Sequence, residues 1–382
     1  MIPLSVPLIK GNEKKYINDA LSKGWVSASG SYVTRFEQEM ADYLKIPIIT
    51  AVQSGTAALH LSLLLSGVKK DQEVIVPTLT FIAAVNPIVY LGAKPVFMDC
   101  DDTLNIDCEK LEHFLKNECS QTSLGLKNKK TGRLIKAMVI VHVFGNMADL
   151  ETLRYLADQY GLKLIEDATE AMGTTYTTGK FAGKFAGTIG DFGAYSFNGN
   201  KIITTGGGGM VTAKCEDDVK QCAYLAAQAK DDPTFYVHNT IGYNYRMTNV
   251  SAALGVGQLE CLEEYIRIKT EHYNYYKELL EQFPDAYLLP FCEKARNNHW
   301  FYSLFLKNKN LERDTLLNRL KDAGIETRPI WKLNHTQRMY QDCETYYIEK
   351  APIYQSRVLN LPCSVSLTKA DMDYVIETVK QV

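Results

Sequence analysis

The sequence predicts an α/β protein, with a mainly parallel sheet covered by helices on both faces and a smaller C-terminal α/β domain after it. Three observations carry that expectation. From about residue 48 to about 213, short apolar runs alternate with helix-like stretches. The runs are rich in Val and Ile, which suit strands buried among neighbours. Near Gly242 the pattern changes to long charged helical segments that carry aromatic residues.

In chain order, the first strand candidate is Ile48–Val52, just after Pro47, followed by Ser54-Gly55-Thr56 and a helix over Ala57–Leu65. Glu73–Val76 reads as a strand, Ile82–Leu91 as a helix and Pro95–Met98 as a strand. The polar stretch Ser120–Arg133 reads as a surface excursion before a strand at Ala137–Val143. Lys163–Glu166, Gly193–Phe197 and Gly209–Thr212 complete the strand set. Beyond these come a helix over Gln258–Gln282, a strand over Trp300–Leu306 and a helix over Arg313–Ala323. The expected division is a large domain at 1–241 and a small one at 242–382.

A chain of 382 residues can hold two domains and a large core, and 46% apolar with 23% charged residues is an ordinary globular balance. A formal charge of −2, without a basic stripe interleaved with aromatics, gives no electrostatic reason to expect nucleic acid. Met1–Pro7 lacks the charged start and apolar run of a signal peptide. No run of about 18 apolar residues suggests a membrane span. Nine scattered cysteines without Cys-x-x-Cys, and seven histidines without His-x-x-x-His, point to free thiols in a cytoplasmic protein and to no metal centre.

Three features carry chemistry. Ser54-Gly55-Thr56 lies between a strand and a helix, where unpaired N–H groups and the helix dipole favour an anion such as a phosphate. The plainer reading is an ordinary N-cap by Ser54 or Thr56. Asp167 ends an apolar strand, at the carboxyl edge where ligands of open α/β sheets collect, and a buried carboxylate there needs a cationic partner. The plainer reading is a structural cap. Lys201 follows Asp167 by 34 positions and is soon followed by Gly206 to Gly209, which suit a backbone passing close to a ligand. Taken alone, Lys201 would read as a solvated surface residue. Together, Asp167 and Lys201 supply the two groups that pyridoxal phosphate requires: an amine to form a Schiff base and a carboxylate to hold the ring nitrogen protonated. Ser196 offers a further phosphate donor, and Phe81 a ring that could stack on a planar cofactor or simply pack in the core.

These residues form part of an ordered set. Gly24-Trp25-Val26-Ser27, Ser54-Gly55-Thr56-Ala57-Ala58-Leu59 and Val76-Pro77-Thr78-Leu79-Thr80-Phe81 come first. They are followed by His142-Val143-Phe144-Gly145-Asn146, Glu166-Asp167-Ala168, Ser196-Phe197 with Lys201, Gly242 to Met247, and Gly324-Ile325-Glu326-Thr327-Arg328. The set resembles the DegT/DnrJ/EryC1/StrS sugar aminotransferases over almost the whole chain. The resemblance implies the fold type I, aspartate-aminotransferase-like architecture of pyridoxal-phosphate enzymes and a homodimer with shared sites. It implies that Lys201 holds the cofactor and shuttles the proton, and that Asp167 pairs with the ring nitrogen. Gly55, Thr56 and Ser196 would hold the phosphate, Phe81 would stack on the ring, and Asn244 would reach the phosphate of the neighbouring subunit's cofactor. Trp25, Ser27, Arg246, Arg328 and His335 would face the nucleotide-sugar. Two positions depart from the pattern: Glu170 stands where many relatives carry glutamine or histidine near the ring hydroxyl, and the glycine run lacks an acidic residue found in others.

The implied reaction passes the amine of L-glutamate to the C4 ketone of a nucleotide-linked 4-keto-6-deoxyhexose. The run Ser196–Thr205, with Asn128–Arg133, looks most like enzymes acting on UDP-linked 2-acetamido-4-keto-6-deoxyhexose in bacillosamine and legionaminic acid pathways. The alternatives are amination at C3 or a GDP- or dTDP-linked sugar. A non-catalytic scaffold or regulatory homologue is disfavoured by the complete set of Asp167, Ser196 and Lys201.

Overall fold

The computed structural model describes residues 1–381. Helices α1 (Glu13–Ser22) and α2 (Ser31–Leu44) lead into β1 (Thr50–Val52) and α3 (Gly55–Leu65). Next are β2 (Glu73–Pro77), the short α4 (Asn86–Tyr90) started by Pro87, and β3 (Lys94–Met98). Helix α5 (Cys108–Asn117) is capped by the Asp107 carboxylate. It precedes a hairpin of β4 (Cys119–Thr122) and β5 (Gly125–Asn128). β6 (Ile135–Val141), α6 (Leu150–Tyr160), β7 (Lys163–Asp167), β8 (Thr175–Tyr176), β9 (Phe192–Ser196), β10 (Gly209–Ala213) and α7 (Glu216–Ala226) follow. The rest of the chain forms α8 (Asn249–Leu259), α9 (Leu262–Leu280), β11 (Ala286–Leu288), β12 (Ala295–Arg296), β13 (Tyr302–Leu306) and α10 (Arg313–Asp322). It ends with β14 (Arg328–Pro329), β15 (Glu344–Tyr346), α11 (Lys350–Arg357), β16 (Val358–Leu361) and α12 (Lys369–Lys380), whose Thr368 and Asp371 form a capping box.

Eight strands form one sheet in the order β1-β10-β9-β7-β6-β2-β3-β15. Its pairings are parallel except where β10 runs against β1 and β9. All five residues of β2 are buried, as expected of a strand covered on both faces. Val74 and Val76 pack with Leu59, Leu61 and Leu63 of α3, while Ile75 joins Met138 and Ile140 in the opposite core. Each such aliphatic side chain contributes about 1.5–3 kcal/mol by leaving water.

The second sheet, β11-β13-β16-β14, is antiparallel. Contacts cross the expected boundary at residue 242. Helix α8 packs on α1 and α2, β15 pairs with β3 at the edge of the large sheet, and Ile2 bridges to Ile325. Short connections carry the chain back and forth between the layers, a feature that composition along the sequence does not encode.

Three segments differ from expectation. Ser120–Arg133 includes most of a β-hairpin, and the buried Asn128 anchors it by donating from Nδ2 to Glu73 Oε2 at 3.0 Å. The expected helix over Gln258–Gln282 breaks at Glu260–Cys261. The expected strand at Trp300 begins at Tyr302, because His299 turns the backbone with φ 51°. Among the described residues, no helix is long and apolar enough to cross a membrane, no His/Cys/Asp/Glu group could hold a metal, and the nine cysteines are free.

Candidate active site

The carboxyl ends of β1, β2, β6, β7 and β9 deliver residues to one cavity of about 670 Å³, with the second sheet supplying the opposite wall. The size lies within the range of small-molecule sites. At its base, α3 begins at Gly55, and Ser54 Oγ accepts from Ala57 N at 3.1 Å. The N-cap reading of Ser54 is what the structure shows. Its side chain caps the helix, while Gly55 and Thr56, whose amides at the first turn have no intrahelical acceptor, line the cavity. A Cβ on Gly55 would lie 2.9 Å from both Ser196 Cβ and Thr169 Cγ2, so only glycine leaves room between the helix start and β9. Gly209 lets β10 pass behind this turn, since a Cβ there would lie 2.5 Å from the Ser54 carbonyl. Gly55→Val is expected to cost about 1–3 kcal/mol of stability by overpacking and to weaken anion capture. Thermal melts and a phosphate titration by calorimetry check both effects.

Lys201 comes from the turn after β9, where its N–H donates to the Asn198 carbonyl at 3.0 Å. Its side chain is 13% exposed. Nζ lies 3.8 Å from Glu170 Oε1 and 3.9 Å from the centroid of the Trp300 ring. Burial lowers the ammonium pKa, against the attraction of Glu170 and Asp167. Burial pushes the Glu170 carboxyl up to about 7, against Lys201 and the Phe144 N–H. That N–H donates to Glu170 Oε2 at 2.7 Å from a backbone with φ 56°, a left-handed conformation unusual for phenylalanine. A lysine whose charge is disfavoured by its surroundings is a candidate nucleophile.

Asp167 ends β7, buried within electrostatic reach of Lys201. Thr169 N donates to its Oδ1 at 3.1 Å, and burial raises its pKa. The adjacent Glu166 points to the other face and is structural. It accepts from His142 Nε2 at 3.0 Å, Gly187 N at 2.7 Å and Ile189 N at 2.6 Å. Ala148 N donates to His142 Nδ1 at 3.1 Å, which assigns the ring proton to Nε2. Strand alternation thus separates two neighbouring acids into two tasks.

The cavity brings together Gly55, Thr56, Phe81, Glu170, Ser196, Lys201 and Arg328. Arg328 is paired with Glu326 at 2.6 Å on the rim. Trp25, Ser27, Asn244, Arg246 and His335 lie outside the cavity of their own chain. Arg246 is held elsewhere by Glu37 and Thr50, each at 2.8 Å, which uses the charge expected to face the sugar. The His335 ring pairs with Thr78 Oγ1 at 2.7 Å. The carbonyls of Trp25 and Ser27 accept from Asn249, and the Trp25 side chain and Asn244 are exposed. Phe144, Trp300 and Trp331 also line the cavity without having been expected there. The two asparagines before His299-Trp300 mark a kink in retrospect, and Asn298 does brace it, donating to the Glu170 and Met172 carbonyls at 2.9 and 3.0 Å.

The sequence profile of the DegT/DnrJ/EryC1/StrS aminotransferase family matches residues 7–380. The chain belongs to that family. This aminotransferase is 37% identical over 383 residues to a GDP-perosamine synthase of Escherichia coli O157:H7, covering 100% of this chain and 98% of the relative. It is likewise 37% identical over 387 residues to a GDP-perosamine synthase of Vibrio cholerae, with the same coverage. Among solved structures, the aminotransferase TlmJ from Streptoalloteichus hindustanus superposes with a TM-score of 0.89 at 26% identity, over 100% of this chain and 98% of that one. The fold is therefore that of the type I pyridoxal-phosphate enzymes, and pyridoxal phosphate is the cofactor. The donor set suits it: a desolvated lysine amine, a buried carboxylate held by Thr169 within electrostatic reach of that amine, and an anion-ready helix start cleared by Gly55. Bound there, the cofactor supplies a carbonyl that condenses with amines and a ring that draws electrons from the attached carbon.

Proposed function

We propose that this aminotransferase takes its amino group from L-glutamate and delivers it to the C4 ketone of a nucleotide-linked 4-keto-6-deoxyhexose, and that the nucleotide is GDP. The observation that carries the choice of nucleotide is the full-length match to two GDP-perosamine synthases. In this reading Lys201 holds the cofactor and moves the proton at the carbon beside the transferred nitrogen. Asp167 holds the ring nitrogen. Gly55, Thr56 and Ser196 bind the phosphate, Phe81 covers the ring, and Glu170 sits beside Lys201 and the ring hydroxyl. Arg328 at the rim meets the incoming substrate. Burial of Lys201 favours the neutral amine that must act as base.

Asn244 is exposed and outside its own cavity, which supports a homodimer in which it reaches the neighbouring cofactor's phosphate. Trp25, Ser27, Arg246 and His335 contribute to the nucleotide-sugar side only in such an assembly or after rearrangement. Light scattering that gives the mass of one chain would remove the dimer from this account.

The run Ser196–Thr205 supports the UDP-linked 2-acetamido sugar as the competing substrate. Incubation with L-glutamate and a panel of GDP-, UDP- and dTDP-linked 4-keto-6-deoxy sugars separates the two, with 2-oxoglutarate release as the readout and NMR locating the new amine. The GDP-linked substrate is expected to give the highest kcat/KM. A preference for the UDP-linked sugar would overturn the GDP assignment while leaving the aminotransferase intact.

A further inference from the structure

Trp300 is placed under Lys201 with unusual firmness. Its Nε1–H donates to the carbonyl of Asn200, the residue before the lysine, at 2.8 Å. Its backbone N–H donates to Asn298 Oδ1 at 3.0 Å and the Phe144 carbonyl at 3.1 Å. Its ring stacks on Phe301 with centroids 4.1 Å apart and planes 18° apart. The turn that brings it there runs through His299 at φ 51°, a conformation that ordinary residues adopt at an energetic cost. The result is an indole face 3.9 Å from Lys201 Nζ, with Glu170 Oε1 at 3.8 Å from the same nitrogen. The charged groups directed at Lys201 are Glu170 and Asp167, both from the segment that ends β7. Trp300 faces it from the second sheet's side and carries no charge.

We infer that Trp300 is a positioning residue for the reaction: its indole face seats the Lys201 amine in the ammonium form that it holds after taking up a proton. The indole favours the ammonium over the neutral amine because the ring face is electrostatically negative, and it does so without the water that the cavity must exclude. Its hydrogen bond to Asn200 fixes the backbone beside the lysine, so the nitrogen returns to one place. Glu170 supplies the counter-charge, and the indole supplies the direction. The inference rests on Lys201 being the cofactor-bearing lysine, yet its test reads the free amine itself and so fails independently of that assignment and of any substrate.

The experiment uses the full-length protein freed of cofactor by dialysis against hydroxylamine, with loss verified from the visible spectrum. Lys201 is titrated by competitive labelling with trace acetic anhydride across pH, quantified by peptide mass spectrometry. Trp300→Leu removes the ring face but keeps the site apolar, and it should lower the labelling midpoint by about 0.5–1.5 pH units. Trp300→Phe keeps a ring and loses the Asn200 bond, and it should lower the midpoint by less than half as much. Should the leucine variant fail to fold, Trp300→Met serves as the ring-free variant. An unchanged or raised midpoint in the ring-free variant, or equal midpoints in the ring-free and phenylalanine variants, overturns the inference.

Discussion

Lys201→Ala is expected to abolish turnover while leaving the fold intact. In the proposed reading the variant lacks both the amine that holds the cofactor and the base that moves the substrate proton. Proton transfer by a positioned base alone contributes about 10²–10⁴-fold, so a loss of at least about 10³-fold is expected. Stability should change little. The lysine is buried, its charge is disfavoured there, and no hydrogen-bond network depends on Nζ. Removing it relieves that cost, while the loss of its aliphatic stem leaves a small gap. Glu170 loses the charge that opposes its protonation, so its carboxyl should rise further above about 7. A coupled assay for 2-oxoglutarate and a circular-dichroism melt read the two effects. A folded variant that retains a tenth of wild-type turnover would contradict the role assigned to this lysine.

Asp167→Asn is expected to have two effects of opposite sign. In the protein without cofactor, burial holds the Asp167 pKa above its unfolded value of 3.8. A carboxyl shifted that way binds its proton more tightly when folded. Its penalty is absent below the unfolded pKa, grows as pH rises towards the folded pKa, and is complete above it. The amide carries no such penalty, so near neutral pH the variant's melting temperature should equal or exceed that of wild type, and the advantage should vanish below about pH 4. With cofactor the sign reverses. A hydrogen bond to a charged group contributes about 1.5–3 kcal/mol, so pyridoxal phosphate should bind about 10- to 150-fold more weakly. Wild-type cofactor affinity in the variant would remove Asp167 from the ring nitrogen.

The parts of the fold that were legible share a physical cause. β2, β3, β6 and β7 are buried on both faces, so their apolar character is continuous and survives in the sequence alone. The hairpin at Cys119–Asn128 was hidden because most of its side chains are polar and its anchor is a buried Asn128–Glu73 hydrogen bond, which composition reads as loop. The break between α8 and α9 was hidden because both halves are helical and the connection carries no Gly or Pro.

The same distinction separates the site residues. Gly55, Thr56 and Ser196 lie at a helix start or a strand end, and Glu170 and Lys201 in the loops that follow β7 and β9, where chemistry and position can be read together. Trp300 and Phe144 escaped because each enters the cavity through a left-handed backbone turn, at His299 and at Phe144 itself, two non-glycine residues for which that conformation is uncommon. Arg246 was legible as a cation but not as one already engaged by Glu37, a residue 209 positions away in sequence.

The most direct measurement of the central claim is borohydride reduction of the cofactor-loaded protein followed by digestion and peptide mass spectrometry. The account predicts that the reduced cofactor's mass is found on the peptide carrying Lys201 and that this lysine alone is labelled. Label on another lysine, or a loaded protein that takes no label at Lys201, would contradict it.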